Sequence, residues 1–367
     1  MSIKGKFNSK EMKEAVSFIA NIANSYAIDN SNNYVKVIVG EKGKLIYAHK
    51  GVYLEMKMNF TECKEGEFVI EPYFLEELPS RSNETSFEVD KDEDGFKFSF
   101  ANGKVKGDLV INNEMDAFNR QIMDSSEFPS NFVKLNKSQL ANTVNKVLYT
   151  SSDNELDKKV GLPVKIVSKG KSAQIYAGDN WCALIYTIEL KEKAEKCNIL
   201  TQGSLLKSTF SVAGDEIQFA SNENSTRVKS KKFDLIVPTQ ELQIFDPESF
   251  YEKQGKSKSN VTFNMEEMTN ALQDVLIVSK IANIDSKVEV SVKGDKITIL
   301  NKANVGKSKA TVKCKAKGEF TISIYADWLT NFSKNFEGDT KLELYKAAAI
   351  LKNKDESVVG IIPIIDG

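Results

Sequence analysis

Three segments of the chain share one pattern of polar and apolar positions. Each begins with an extended segment followed by an asparagine, at Asn8, Asn136 and Asn264, so both intervals are 128 residues. Apolar residues follow each asparagine after four, eight and eleven positions: Met12, Val16 and Ile19; Leu140, Val144 and Val147; and Met268, Leu272 and Val275. This is the period of an amphipathic helix, and asparagine is a preferred helix N-cap. The pattern predicts three capped helices in an internal repeat.

The remainder of each repeat is predicted to form strands and a short second helix. Alternating segments such as residues 34–39 and 54–60 predict strands. Leu75, Leu205 and Leu329 mark second helices at nearly constant distances from the asparagines. Residues 112–131 and 248–260 are polar and are interpreted as linkers. We therefore predict an α+β protein with mostly antiparallel sheets and three domains, at residues 1–128, 129–256 and 257–367.

Composition narrows the class of protein. The 367-residue chain has 28% charged residues and a net charge of −1, so it is not strongly basic. Its four cysteines are widely spaced, which favours free thiols in the cytoplasm over disulfides or a zinc site. No apolar run is long enough to span a membrane, and the first residues lack a signal-peptide pattern.

No catalytic or metal-binding arrangement emerges from the sequence. His49 is the single histidine, so any histidine-based triad would need it, and its position between two strand-like segments favours a turn residue instead. Gly-Lys-Ser occurs at 170–172, 255–257 and 306–308, but each copy lacks the earlier glycine of a phosphate-binding loop. We therefore expect a protein that is not an enzyme and uses neither a cofactor nor a metal ion.

The polar faces of the three helices are mostly uncharged and lie opposite the apolar stripes. They are solvated surfaces or, alternatively, surfaces that contact phosphates loosely without reading bases. The candidate DNA-binding residues are Lys10, Ser17, Lys137, Asn142, Asn145, Lys146, Asn270, Gln273 and Lys280.

The length, the three repeats, the segment Leu54-Glu55-Met56-Lys57-Met58 and the apolar C-terminus around Pro363 resemble the bacterial sliding clamp, the beta subunit of DNA polymerase III. The resemblance covers the whole chain. It implies a head-to-tail homodimer whose helices line a ring around double-stranded DNA, with antiparallel sheets outside. It also implies that a replicative DNA polymerase and a clamp loader are partners, and that no active site is needed.

The resemblance implies a pocket for short hydrophobic peptides between the middle and last domains. Its floor would be Val160 and the turn from Gly178 to Ala183, which includes Trp181. The family commonly has Gly-His-Arg-Leu where residues 180–183 read Asn-Trp-Cys-Ala, so the peptide preference is expected to differ. The remaining pocket residues would be Pro247, Tyr251, Ile361, Ile362, Pro363 and Ile364.

The resemblance also implies a dimer interface between an edge strand of domain one and an edge strand of domain three. Lys104 and Lys106 match the basic edge of the family. The other edge, which is acidic in well-known members, here carries Lys307 and Lys309 in a strand that alternates exposed lysines with apolar residues. Either the acidic hairpin at residues 90–94 would compensate for the repulsion, or apolar contacts from Ile277 and Val278 would hold the interface. This departure suggests a phage or mobile-element member.

Two other functions compete with the clamp interpretation. The repeats could form a protein-interaction scaffold that does not bind DNA, or an enzyme with an unrecognised site. Retention on circular but not linear DNA would separate the clamp from the scaffold.

Overall fold

The computed structural model describes residues 2–26, 33–92, 95–123, 127–148, 163–178, 182–239, 244 and 246–365. The chain divides into two compact units: residues 1–141 with 199–240, and residues 142–198 with 241–367. Each unit contains one terminal repeat and part of the middle one. The predicted boundaries near 128 and 256 stay a prediction.

The α+β class is confirmed, and every strand pairing described is antiparallel. The helices are α1 (Ser9–Ser25), α2 (Pro72–Glu76), α3 (Met115–Asn119), α4 (Lys137–Val147), α5 (Gly203–Val212), α6 (Pro247–Gln254), α7 (Met265–Val275), α8 (Ile277–Ala282) and α9 (Ala326–Ser333). The strands up to the middle repeat are β1 (Ile3–Asn8), β2 (Val35–Val39), β3 (Lys44–His49), β4 (Val52–Lys57), β5 (Phe60–Lys64), β6 (Gly66–Ile70), β7 (Glu84–Asp92), β8 (Gly95–Asn102), β9 (Val105–Ile111) and β10 (Val133–Asn136). The later strands are β11 (Pro163–Gly178), β12 (Ala183–Gln202), β13 (Glu216–Ser221), β14 (Ser225–Lys229), β15 (Phe233–Pro238), β16 (Ser259–Asn264), β17 (Lys287–Lys293), β18 (Lys296–Ala303), β19 (Gly306–Lys317), β20 (Phe320–Tyr325), β21 (Asp339–Leu344), β22 (Ala348–Lys352) and β23 (Val358–Pro363).

The three capped helices form as the repeat predicts. The Asn8 side-chain oxygen accepts hydrogen bonds from the backbone N–H groups of Lys10 and Glu11, each at 3.0 Å. The oxygens of Asn136 and Asn264 each accept one such bond, at 2.9 and 3.1 Å. All nine residues of the predicted apolar stripes are buried. Local capping and apolar periodicity therefore determine where these helices begin and which side packs inward.

The linker interpretation was wrong for two segments. Residues 115–119 form α3 and residues 247–254 form α6. Pro247 occupies the first turn of α6, where its missing N–H costs nothing. Phe250 and Tyr251 of α6 and Met115 of α3 pack on apolar clusters of the adjoining sheets. The apolar residues were too few for a periodic signal, so only the tertiary contacts reveal these helices.

The first unit contains two sheets. The smaller has the strand order β5-β1-β7-β8-β9, and the larger has β10-β13-β14-β15-β4-β3-β2-β6. In the larger sheet, β15 of the middle repeat pairs with β4 of the first, with Phe233 opposite Met56 and Leu235 opposite Leu54. On the helical layer, α1 packs against both α2 and α5. One repeat is thus joined to the next by a strand pair and by a helix pair.

The second unit contains one sheet of order β11-β12-β23-β22-β21-β16-β19-β18-β17-β20. Here β23 of the last repeat pairs with β12 of the middle repeat, with Ile361 opposite Ala183 and Val358 opposite Tyr186. In both strand junctions, the last strand of one repeat therefore pairs with an equivalent strand of the preceding repeat, which is β4 in the first unit and β12 in the second. On the helical layer of this unit, α7 packs against α9.

Candidate functional site: helix faces, tail cluster and free strand edges

The outer sides of the capped helices, called here the helix faces, present uncharged polar groups. Ser17 of α1, Asn142 and Asn145 of α4, and Asn270 and Gln273 of α7 are exposed. Their amide and hydroxyl groups can donate and accept hydrogen bonds without fixing a ligand by charge. Each face is therefore suited to weak contact with a polar ligand.

The predicted lysines of the helix faces are only partly free. Lys10 is exposed but lies 3.9 Å from a Glu14 carboxylate oxygen. Lys137 donates a hydrogen bond of 3.0 Å to the Ala213 carbonyl. Lys280 is exposed at the end of α8. The positive charge available on these faces is therefore small.

Lys146 lies in a cavity of the second unit that sequence reasoning missed. Its Nζ lies 5.5 Å from the centre of the Tyr186 ring, and the Tyr186 hydroxyl donates a 2.9 Å hydrogen bond to Asn335. Lys334 and Lys354 line the same cavity together with two carboxylates. Burial raises the pKa of Tyr186 to about 12, so its hydroxyl stays protonated. Because these residues lie far apart in sequence, no local motif could have indicated them.

The C-terminal strand takes part in an apolar cluster of the second unit, called here the tail cluster. Its buried members are Tyr176, Ala183, Ile185, Tyr345, Ala348, Ile350 and Ile361, and Val167, Ile244, Phe250, Tyr251 and Val359 pack against them. Of the predicted pocket residues, the cluster brings together Ala183, Tyr251 and Ile361. Sequence reasoning missed Tyr176 and Ile185, which lie two strand positions from a predicted residue, and Phe250, which lies on an unpredicted helix. It also missed Tyr345, which lies between β21 and β22.

Aromatic rings form the partly exposed margin of the tail cluster. Tyr251 meets Phe250 and Tyr345 edge to face, with ring centres 5.9 and 6.4 Å apart. Burial raises the pKa of both Tyr251 and Tyr345, so neither phenol ionises near neutral pH. The Tyr345 hydroxyl donates to Glu343 at 3.2 Å. Burial alone would raise the pKa of Glu343, but hydrogen bonds from two lysines outweigh it and lower the pKa. The margin therefore combines apolar ring surface with an ionised carboxylate.

The other predicted pocket residues lie around this cluster or outside the described chain. Ile362 is 1% exposed. Gly360, two residues earlier and on the same side of β23, lies so near Phe332 of α9 that an added Cβ would approach the ring to 2.7 Å. The even-numbered side chains of β23 therefore face the helices. Pro363 and Ile364 are partly exposed. Gly178 is buried at the end of β11, and Pro247 is partly buried in α6. Val160 and Trp181 lie outside the described residues.

Among the free strand edges of the described chain, two carry the predicted interface lysines. β9, with Lys106, is an end strand and pairs only with β8; Lys104 lies in the turn before it. β19 pairs with β16 only from Cys314 onward, so residues 306–313, with Lys307 and Lys309, have β18 on one side and no described strand on the other. Each free edge offers unpaired backbone donors and acceptors to another strand.

The exposed apolar residues near the second free edge differ partly from the predicted ones. Ile277 is 56% exposed, but Val278 is buried and points into its own chain. Ile281, one turn further along α8, is 69% exposed and was missed. Asn301 positions α8 by accepting a hydrogen bond from the Ser279 N–H at 3.1 Å. The spacing of four residues places Ile277 and Ile281 on one side of α8.

The described residues give no sign of a metal site or a membrane span. No group of three or more His, Cys, Asp or Glu residues in this part of the chain is arranged to hold a metal ion. Within the same residues, no helix is both long and apolar enough to cross a bilayer.

Comparison with solved structures identifies the fold. No protein-family model and no curated protein matches the chain. Similar structures include a DNA polymerase III beta chain from Streptococcus pneumoniae TIGR4, with a TM-score of 0.73 and 16% identity over 100% of both chains. The C. crescentus beta sliding clamp has a TM-score of 0.75 and 14% identity, covering 100% of this chain and 99% of its own. The DNA polymerase III beta subunit of Thermotoga maritima has a TM-score of 0.71 and 13% identity over 100% of both chains. The chain therefore has the sliding-clamp fold of repeated domains over its full length.

Proposed function

We propose that this protein is a DNA sliding clamp: a ring-forming homodimer that encircles double-stranded DNA, tethers a replicative polymerase and other partners, and catalyses no reaction. The observation that carries the proposal is the repeated strand junction. Among the described residues, two repeat-to-repeat strand junctions are formed, and the strands that match them in a third junction, β9 and the first part of β19, have no partner on their outer edges. A second copy can supply the missing partner for each edge.

The repeat predicts the register of this third junction. Phe7 and Phe263 each come directly before a capping asparagine, so they are equivalent positions of the repeat. Phe7 pairs with Phe60 and Phe263 pairs with Cys314, so Cys314 corresponds to Phe60. By the same offset, Ala310 corresponds to Met56. Val105, the first residue of β9, corresponds to Phe233, the first residue of β15.

Transferring the β15–β4 register to the free edges gives specific cross-strand pairs. Val105 would lie opposite Ala310 of a second copy, Lys106 opposite Lys309, and Asp108 opposite Lys307. The Asp108 carboxylate already forms an ion pair with Lys97 at 3.0 Å, so its attraction for Lys307 is reduced. Net repulsion between the basic edges therefore weakens the junction, and apolar contacts must stabilise it.

The helical layer supplies such contacts. In the first unit α1 packs between α2 and α5, and Asn21 of α1 lines the same cavity as Val212 of α5. Ile277 corresponds to Asn21, since both follow their capping asparagine by 13 residues. We therefore expect Ile277 and Ile281 to contact α2 of a second copy, where Tyr73 is exposed.

The helix faces fit loose contact with an encircled duplex better than a tight DNA-binding site. A tight, salt-sensitive site needs many lysines or arginines, and these faces have few. Topology, rather than affinity, would then hold the protein on DNA. A scaffold that does not bind DNA stays the alternative, since the tail cluster alone would serve it equally well.

Replacing Lys10, Lys146 and Lys280 together with alanine should weaken binding to linear duplex DNA. Each phosphate that a lysine no longer neutralises should reduce the slope of log affinity against log salt by ~0.9, so the expected reduction is about 3. Fluorescence anisotropy with a labelled duplex measures both the affinity and its salt dependence. Alanine at Lys42, Lys57 and Lys64, three exposed lysines outside the helical segments, is the control. Equal weakening in both variants would contradict a role for the helix faces in DNA contact.

A further inference from the structure

One face of the sheet in the second unit carries a dense set of lysines. The even-numbered residues of β19 face the helices: Val312 is buried, and the Ser308 hydroxyl donates a hydrogen bond to the Val275 carbonyl of α7. Odd-numbered side chains of β19 and their cross-strand neighbours therefore point away from the helices. The exposed lysines on this opposite side, called here the lysine face, are Lys287, Lys293, Lys296, Lys302, Lys307, Lys309, Lys313, Lys315 and Lys317.

The lysine face has a net positive charge within the described chain, although Asp295 and Glu319 lie in the connections beside it. Glu289 is the one acidic residue on this side of β17, β18, β19 and β20. None of the lysines forms an ion pair with a described residue. The register instead places Lys296 opposite Lys313, and Lys302 opposite Lys307, which destabilises the sheet. The whole chain has a net charge of −1, so this surface is a local concentration of positive charge that an anionic ligand would relieve.

The other residues of the lysine face indicate which anion fits. Ser291, Thr298, Thr311 and Thr321 form a row of hydroxyl groups across its centre. Protein partners are usually anchored by buried aromatic or arginine residues, and nucleobases by aromatic stacking. Within its strands, Tyr325 at one end is the one aromatic residue on this side. Lysines and hydroxyls are, by contrast, common contacts of phosphate groups.

Spacing supports an extended polyanion. Lysines two residues apart on one strand repeat every ~6.7 Å, and those of β19 form a line of several such steps. A regular row of point charges can follow a sugar–phosphate backbone without specifying its bases. We propose that the lysine face binds the phosphodiester backbone of nucleic acid, independently of sequence.

This site is separate from the surface proposed to face encircled DNA. The lysine face and α7 lie on opposite sides of the same sheet, so one straight duplex segment cannot contact both. The bound segment would be nucleic acid outside the ring. The inference does not depend on encirclement, so either proposal can fail while the other stands.

The test replaces Lys293, Lys296, Lys313 and Lys315 with glutamine. The control has the same charge change at four exposed lysines of the first unit: Lys42, Lys57, Lys64 and Lys231. The probes are a labelled oligothymidylate and a labelled duplex, each of about 30 nucleotides per strand, in buffer with about 50 mM salt. We expect the lysine-face variant to bind at least one probe ~10-fold more weakly. For the single strand, four fewer neutralised phosphates at ~0.7 each should lower the log–log salt slope by about 3.

The control variant should change affinity by less than about twofold, because it alters only distant, screened charge. Greater weakening for one probe than for the other supports the proposal and identifies the strand form bound. Equal weakening in both variants would show a non-specific charge effect and overturn it. Unchanged binding by the lysine-face variant would also overturn it. So would displacement of the oligonucleotide by an equal length of polyglutamate at equal concentration, since that would indicate an acidic polypeptide as the partner.

Discussion

Replacing Ile277 and Ile281 together with aspartate should convert the protein from a homodimer to a monomer. Both side chains are more than half exposed in the single chain and are proposed to be covered by α2 of a second copy. Burying a carboxylate without a partner costs several kcal/mol. At ~1.4 kcal/mol per tenfold change in affinity, two such groups should weaken the dimer by at least ~1,000-fold. The solution mass should fall from twice 41.0 kDa to 41.0 kDa.

The control for this change is Ile122→Asp, which places the same charge on an exposed isoleucine outside α2, α8 and both free edges. It should leave the dimer intact. If the dimer survives the double substitution, the interface lies elsewhere. If the unmodified protein has three times the protomer mass in solution, it is a trimer, and the proposed dimeric clamp is wrong.

The same interface should show an unusual salt response that depends on the predicted register. If Lys106 lies opposite Lys309, salt screens their repulsion, and the dimer should dissociate more slowly as salt rises. Lys106→Glu should reverse this trend. Lys104→Glu should change it less, because Lys104 lies in the turn before the paired stretch. Faster dissociation of the natural chain at high salt would mean that attractive pairs such as Asp108–Lys307 dominate.

Replacing Tyr251 with alanine should weaken binding of a hydrophobic pentapeptide about 30-fold, because truncating a central aromatic contact typically costs ~2 kcal/mol. Tyr251 is partly exposed, and its ring forms the margin of the tail cluster. Tyr251→Phe keeps the ring and should bind within about twofold of the natural chain. Phe132→Ala removes a partly exposed aromatic ring of the first unit, outside α2 and the free edges, and is the surface control. Isothermal titration calorimetry measures the affinity of the natural chain and the three variants for the pentapeptide.

The structure changes how the C-terminal strand can be used in such a test. From the sequence, Ile362→Asp or removal of residues 361–367 is expected to abolish peptide binding. Ile362 is, however, buried on the helix side, and Ile361 pairs with both β12 and β22. These changes should unfold the second unit, so the resulting failure to bind would say nothing about the pocket. Ile364→Asp, at a partly exposed position, is the informative alternative. Unchanged binding by both Tyr251→Ala and Ile364→Asp would place the peptide elsewhere.

Features set by local interactions could be predicted from the sequence. The caps at Asn8, Asn136 and Asn264 and the stripes behind them depend on residues within one helix, and three copies in register strengthened a weak signal. The second helices were found for the same reason. The α+β class then followed from the repeated pattern, and the sliding-clamp fold from the family resemblance.

Features set by contacts between distant residues could not be predicted in the same way. The opposite directions of Ile361 and Ile362 depend on which strands flank β23, and the joining of Tyr345 to Tyr251 depends on α6 folding over the sheet. The alternating lysines of β19 were visible in the sequence, but their neighbours Lys287, Lys293 and Lys296 come from other strands. Strand register, rather than local pattern, assembles each of these surfaces.

Encirclement of DNA is tested most directly by retention on nicked circular duplex, before and after linearisation, in salt high enough to remove direct binding. The protein is first loaded on the circle, and the salt is then raised. If topology holds it, rings should persist on the circle at salt concentrations where linear duplex retains nothing. Cutting the circle once should then release them. Equal rates of release from circular and linear DNA would contradict encirclement and leave a binding module that shares the sliding-clamp fold.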